Sequence, residues 1–290
     1  MSKRDIHISF VDVVANIRRQ IRLGDPLIAL GIAILGITCF AALFAQLLAS
    51  DPLALNPLER LRPPDTTHWL GTDQFGRDLW SRTVYGARVS LVVGLAVATL
   101  AIAIGLLIGL VAGYVRALDG LLMRIMDGLM AIPGILLAIA LVSLSGASQL
   151  TVVVAIMVPE IPRVVRLVRA MVLGVREEPY IEAAIAVGTR LPWLLLRHVL
   201  PNCMPPLIVQ ATYVCASAMV TEAILSFLGA GTPPEIPSWG NMMAEGRALF
   251  PIAPRIVLFP GAALALTILA INILGDRLRD RLDPKFAKRV

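Results

Sequence analysis

Asp127, Glu160 and Glu222 fall in or beside apolar stretches, where an ionisable side chain is costly and by default suggests a functional role. Asp127 follows Arg124 by three residues and Glu160 precedes Arg163 by three, so each also has an ion-pair reading within its own helix. Glu222 has no such neighbour. Two readings stay open for it, a carboxyl facing a translocation path and a helix–helix hydrogen bond, the second weighed above the first. Catalytic patterns are missing: there is no Gly-x-x-x-x-Gly-Lys-Ser/Thr loop to cradle ATP phosphates and no His-Glu-x-x-His, and His7, His68 and His198 are scattered. Cys39, Cys203 and Cys215 have no metal-ligand spacing, and a thiol in apolar sequence behaves as a small hydrophobe. No nucleophile and base stand at sensible spacing, so no bond-breaking reaction is expected in this chain.

A second group of residues suits docking. Glu177-Glu178-Pro179 opens a short helix to about Val187, because Pro is favoured in a first helical turn and Glu182 would sit near the positive end of the helix dipole. Ala183, Ala184 and Gly188 lack bulk and leave room for another protein's backbone, while Pro192 and Pro201 limit the helix. On physical grounds alone an ordinary amphipathic loop helix explains these residues equally well.

The elements that must position both groups are membrane helices. Of 290 residues, 57% are hydrophobic and 16% charged, with a mean hydropathy of +0.79, far from the balance of a soluble domain. The net charge of +6 does not point to nucleic acid, since no basic stripe is interleaved with aromatics. A helix needs roughly 20 apolar residues to cross the ~30 Å hydrocarbon layer. Leu27 to Leu48, Val89 to Gly113, Leu207 to Leu228 and Ile256 to Leu274 satisfy this. Ile125 to Leu144, which holds Asp127 and Pro133, and the short Leu150 to Val158, which runs into Pro159-Glu160-Ile161-Pro162, make six, the last tilted or broken. The first run begins too late and is too long for a cleaved signal peptide.

Six spans put both termini on one side, and 19 of the 26 Lys and Arg residues fall there, which predicts cytoplasmic termini. The expected division is a cytoplasmic tail over 1–26, a first transmembrane helix over 27–48, an external loop over 49–88, a core of about five helices over 89–275 with a cytoplasmic loop at 173–205, and a cytoplasmic tail over 276–290. Gly105, Gly109 and Gly113, preceded by Ala101, form a small-residue ladder that predicts close helix packing, with a partner chain as one candidate neighbour and a sliding face as the lesser reading. Arg163, Arg166 and Arg169 are expected to anchor at lipid phosphates, with contact to a cytosolic partner protein as the lesser reading. Trp239 is expected either to anchor at the membrane interface or, with Pro233-Pro234 and Pro237, to shape a stiff outer surface.

Glu182-Ala183-Ala184, three residues, Gly188, then Leu200-Pro201 resembles the cytoplasmic EAA motif of ABC importer permeases. His198 stands where the wider pattern has Ile, and is similar to what peptide-type permeases carry. The resemblance extends through Gly71-Thr72-Asp73, Gly76-Arg77-Asp78, Ser81-Arg82 and Tyr85 to Leu91, then Leu225 to Gly229, Pro233-Pro234, Ser238-Trp239-Gly240, Leu274-Gly275-Asp276 and Leu282-Asp283-Pro284. These look like the second, "C"-type permease subunit of the dipeptide, oligopeptide and nickel group. Pro159 to Arg163 is less regular than the family pattern.

The resemblance implies an all-α permease of type I-like fold in a bacterial inner membrane, with Tyr180, Glu182, Ala183, Ala184, Gly188, Leu200 and Pro201 coupling to an ATPase. It further implies a second homologous permease, one or two cytosolic ATPases that bind ATP and Mg, an external substrate-binding protein and surrounding lipid as partners, with no cofactor in this chain. An ion-coupled secondary transporter using Glu160 and Glu222 is the rival, weakened by the lack of internal repeats.

Overall fold

The computed structural model describes residues 26–282. The tail charges Lys3 to Arg22, His7 and the Asp283-Pro284 signature lie outside the described residues. Among the described residues the chain is helical with no strand, only an isolated bridge between Thr72 and Asp78.

Helix α1 (Pro26–Leu43) carries no charge and is followed by one further turn, Ala45–Leu48. Residues 49–78 have no long element. Helix α2 (Leu79–Tyr114, 36 residues) starts at Leu79 rather than at Val89, because Asp78 caps it by accepting from the Ser81 N–H at 2.8 Å. The last ten residues of the expected external loop, 79–88, are therefore helix. Helix α3 (Arg116–Ala131) meets α4 (Gly134–Ser145) at 88°. The bend falls at Pro133, which forces Ile132 into an extended conformation (ψ 128°).

Helix α5 (Gln149–Arg176) corrects the expectation of a short, broken fourth span: it runs for 28 residues straight through Pro159 and Pro162. A membrane helix tolerates proline where neighbouring helices support it, and Pro162 is buried among them. A short helix, α6 (Pro179–Ala186), follows at once. The turn Leu191–Leu194, a π turn Leu195–Val199 and α7 (Leu200–Phe227) then form one run of 37 residues. The π turn has a local cause, since the ring of Pro201 would strike the carbonyl four residues back, that of Arg197, in a regular α-helix. Helices α8 (Trp239–Gly246) and α9 (Arg255–Leu282) complete the chain.

Among the described residues four helices are long and apolar enough to cross a membrane, α1, α2, the run ending in α7, and α9; the bent α3–α4 pair makes five if it is one span. Helix α5 has the length but carries Glu160, Arg163, Arg166 and Arg169. Its apolar side forms the larger core with α2 and α7, through Val97, Ala101, Ile156, Val164, Val168 and Leu207. A second core gathers Leu79, Met219, Trp239, Met242 and Ile256 at the α8 end of the molecule.

Candidate coupling helix and its supports

Helix α6 has both of its ends specified locally. Pro179 stands at its first position, and Glu182 lies in the first turn. At the far end the Gly188 N–H donates to Ile185 O at 2.9 Å and the Thr189 N–H to Ala184 O at 3.0 Å, the paired bonds of a Schellman stop. That geometry needs Gly188 at φ +81°, in the left-handed region. A Cβ there would meet nothing within 4 Å, so the glycine serves the backbone first.

The helix is pinned on one side and open on the other. Ile181 is fully buried and Ala184 half-buried against the core, and the Tyr180 hydroxyl accepts from Asn202 Nδ2 at 3.2 Å. Burial, then the charge of Glu178, raises the Tyr180 hydroxyl above its ordinary 10.0, which keeps it neutral. Glu182, Ala183, Ile185 and Val187 face outward, Val187 with 87% of its surface exposed. Leu200 and Pro201 are half-buried where the π turn passes into α7. The expected site residues thus divide: Glu182, Ala183 and Gly188 are on the surface, Tyr180 and Ala184 bridge it to the core, and Leu200 and Pro201 are half-buried at the start of α7.

Only Glu177 and Glu178 separate α6 from α5, and α5 is locked to α2. A Cβ on Gly105, Gly109 or Gly113 would stand 2.5, 2.6 and 2.6 Å from the Cβ atoms of Val164, Val168 and Val172. The small-residue ladder therefore packs within this chain, valine into glycine, three times over.

The three arginines Arg163, Arg166 and Arg169 each pair with a carboxylate. Arg169 grips Asp119 with two bonds of 2.5 and 2.6 Å, Arg166 reaches Asp127 at 2.6 Å, and Arg163 approaches both oxygens of Glu160 at 3.3 Å. Asp127 is thus tied across to α5 and not to Arg124. Glu160 also accepts from Ser217 Oγ at 3.1 Å, joining α5 to α7.

Glu222 has no exposed surface. Its Oε1 accepts from Ser226 Oγ at 2.8 Å and Thr232 Oγ1 at 3.4 Å, turned toward the loop after α7 rather than toward open space. Asn241 ties the same loop down through the carbonyls of Thr232, Pro233 and Ile236. Trp239 is buried to 1% exposure, donates from Nε1 to Thr83 O at 2.9 Å and lies over Gly86, so it is a core residue and neither an interfacial anchor nor an outer surface.

One constellation was missed from sequence. Asp73 and Arg82 are fully buried at the α8 end, where Asp73 Oδ2 accepts from Arg77 Nε and Arg82 Nη1, both at 2.6 Å, and Glu245 of α8 accepts from Arg82 Nη1 at 2.8 Å and from Arg77. Asp73 and Arg77 are four residues apart and readable as a pair. Glu245 is not, lying 163 residues from Arg82.

Residues 83–288 match the family described as binding-protein-dependent transport system inner membrane component. The chain is 54% identical over 264 residues to a probable peptide ABC transporter permease protein of Sinorhizobium fredii, with 91% of each chain covered. It is 44% identical over 263 residues to the dipeptide transport system permease protein DppC of Alkalihalophilus pseudofirmus, covering 90% of this chain and 86% of that one. A glutathione transport system permease protein, GsiD of Pectobacterium atrosepticum, is 43% identical over 223 residues, 77% of this chain and 74% of the other. Among solved structures, the inward-facing MetNI methionine ABC transporter superposes with a TM-score of 0.57 at 19% identity, over 70% of this chain and 96% of that one, which establishes likeness of fold. With a membrane-helix fold, a family match over residues 83–288 and a relative 54% identical across 91% of its length, the chain belongs to the binding-protein-dependent inner membrane components, the permeases of ABC importers.

Proposed function

We propose that this permease carries di- or oligopeptides, or a related small solute, across a bacterial inner membrane, and that α6 is the helix through which cytosolic ATPases drive it. The carrying observation is α6 itself: anchored by Ile181, stopped by Gly188 and presenting Glu182, Ala183, Ile185 and Val187 outward. An exposed apolar strip with one charge, held rigid from behind, suits a groove on a partner. In this reading the termini and α6 are cytoplasmic, a second homologous permease completes the pathway, and a substrate-loaded external protein delivers the cargo. ATP and Mg bind to the ATPases. Closure of those subunits displaces α6, and the spans respond as a two-state rigid-body change.

The test is purification in mild detergent with identification of every retained protein and assay of ATP hydrolysis. Glu182→Lys reverses the exposed charge and Ala183→Trp adds bulk to the exposed side, while both leave Ile181 and the Gly188 stop intact. Loss of ATPase co-purification with a normally inserted chain is the expected result. Full retention of the ATPases and wild-type uptake in both variants would remove α6 from the mechanism.

A further inference from the structure

Beside the end of α6 lies an open depression of about 430 Å³ lined by Thr189, Arg190, Trp193, Arg197 and His198. Arg190, Trp193 and Arg197 recur at helical spacing and share one face of the turns that lead into α7. Leu194 and Val199, both buried, fix these turns to the core. On α5 the exposed guanidinium groups each have a carboxylate, Arg163 with Glu160 and Arg166 with Asp127. Arg190 and Arg197 have none among the described residues, so two cations border one depression without a counter-charge. The flanking apolar side chains are open as well: Trp193 is 63% exposed, Leu196 58% and Leu191 41%.

We propose that this depression binds the phosphate headgroup of an anionic phospholipid. Arginine supplies the phosphate-matching donors, and Thr189 a hydroxyl. Exposed Trp and Leu flanking Arg is the composition of a segment at a membrane surface, with the indole at headgroup level. The length of the run agrees. Its 37 residues rise about 55 Å at 1.5 Å each, more than the ~30 Å hydrocarbon layer and enough, with ordinary tilt, to reach through the ~40–45 Å that includes both headgroup regions. The run is therefore long enough for its first turns to lie at the headgroup layer. The site needs only the membrane and does not rest on the docking role of α6.

Trp193 is its own reporter. The full chain, with whatever subunits it retains, is placed in nanodiscs of phosphatidylcholine with or without phosphatidylglycerol, one lipid at a time carrying brominated acyl chains, and the Trp193 emission is isolated by difference from Trp193→Phe. Brominated phosphatidylglycerol is expected to quench it with an apparent preference over brominated phosphatidylcholine on the order of ten-fold, from two surface cations. The preference should vanish in Arg190→Gln/Arg197→Gln and persist in Arg190→Lys/Arg197→Lys. Equal quenching by the two lipids in the wild type would overturn the proposal, whatever the variants do. So would loss of the preference on adding inorganic phosphate at constant ionic strength, which would make the ligand a free anion. Absence of quenching by either lipid would also overturn it.

Discussion

His68 sits between two acceptors, with Nδ1 3.1 Å from Asp78 Oδ1 and Nε2 3.2 Å from Glu59 Oε2. Both ring nitrogens can donate only in the imidazolium form. Partial burial works against that charge, but the bonds to Asp78 and Glu59 outweigh it and raise the His68 pKa above 6.5. A raised histidine adds stability that is complete below the unfolded value near 6.5 and is lost as pH climbs through the folded one. The melting temperature of His68→Gln should therefore fall furthest below wild type in mildly acidic buffer, and the two curves should converge in alkaline buffer. A gap that widens with pH would refute the bridging role. Arg82 makes a larger claim, because its removal strands the buried Asp73 beside a single remaining arginine. Arg82→Met should cost about 3–5 kcal/mol, the usual penalty for breaking a buried pair, measured as lost thermal stability in detergent. At this scale sequence legibility follows distance along the chain. Glu160–Arg163 was readable because its partners share a helical turn, whereas Asp127 exchanged its near neighbour Arg124 for Arg166 on another helix. Propensity and spacing carry no information about that choice.

Between elements, the valine–glycine ladder makes a claim that separates packing from propensity. The atom that each absent Cβ would strike is itself a Cβ, which has no torsion to turn aside, so α2 and α5 would have to part. Gly109→Ala should cost about 1–3 kcal/mol by overpacking. Gly120→Ala and Gly128→Ala, on α3 where nothing lies within 4 Å, should be neutral or gain up to about 1 kcal/mol from helix propensity. Thermal melts of the four proteins in one detergent would decide, and equal behaviour at all three positions would sink the interlock. The ladder was legible in sequence; its partner was not, because valines at 164, 168 and 172 sit in a helix whose prolines and arginines disguise it as a broken span. The early start of α2 was hidden for a related reason. Its first turns hold Arg82 and Arg88, polar enough to read as loop, yet Arg82 is buried against Asp73 and Glu245 and Arg88 donates to Ala42 O at 2.9 Å.

The whole molecule joins these parts in series. Helix α6 is separated from α5 by Glu177 and Glu178 alone, and that junction is itself bonded, with the Glu178 N–H donating to Val175 O at 3.1 Å and the Ile181 N–H to Glu178 O at 2.9 Å. Helix α5 is interlocked with α2 by the ladder, tied to α3 through Asp119 and Asp127, and joined to α7 through Glu160 and Ser217. A displacement of α6 therefore has a stiff route into three other helices, while the buried ion network at the α8 end holds the opposite pole together. In the proposed coupling, stiffness and docking are separable requirements, and inserting Gly-Gly between Glu177 and Glu178 tests the first without touching the exposed face of α6. The expected result is ATPase co-purification at the wild-type level with uptake reduced at least about ten-fold, equivalent to about 1.4 kcal/mol of lost coupling. Wild-type uptake through the flexible insert would mean that α5 does not carry the motion, and would move the transmission to the other flank of α6, through Leu194 and the π turn into α7.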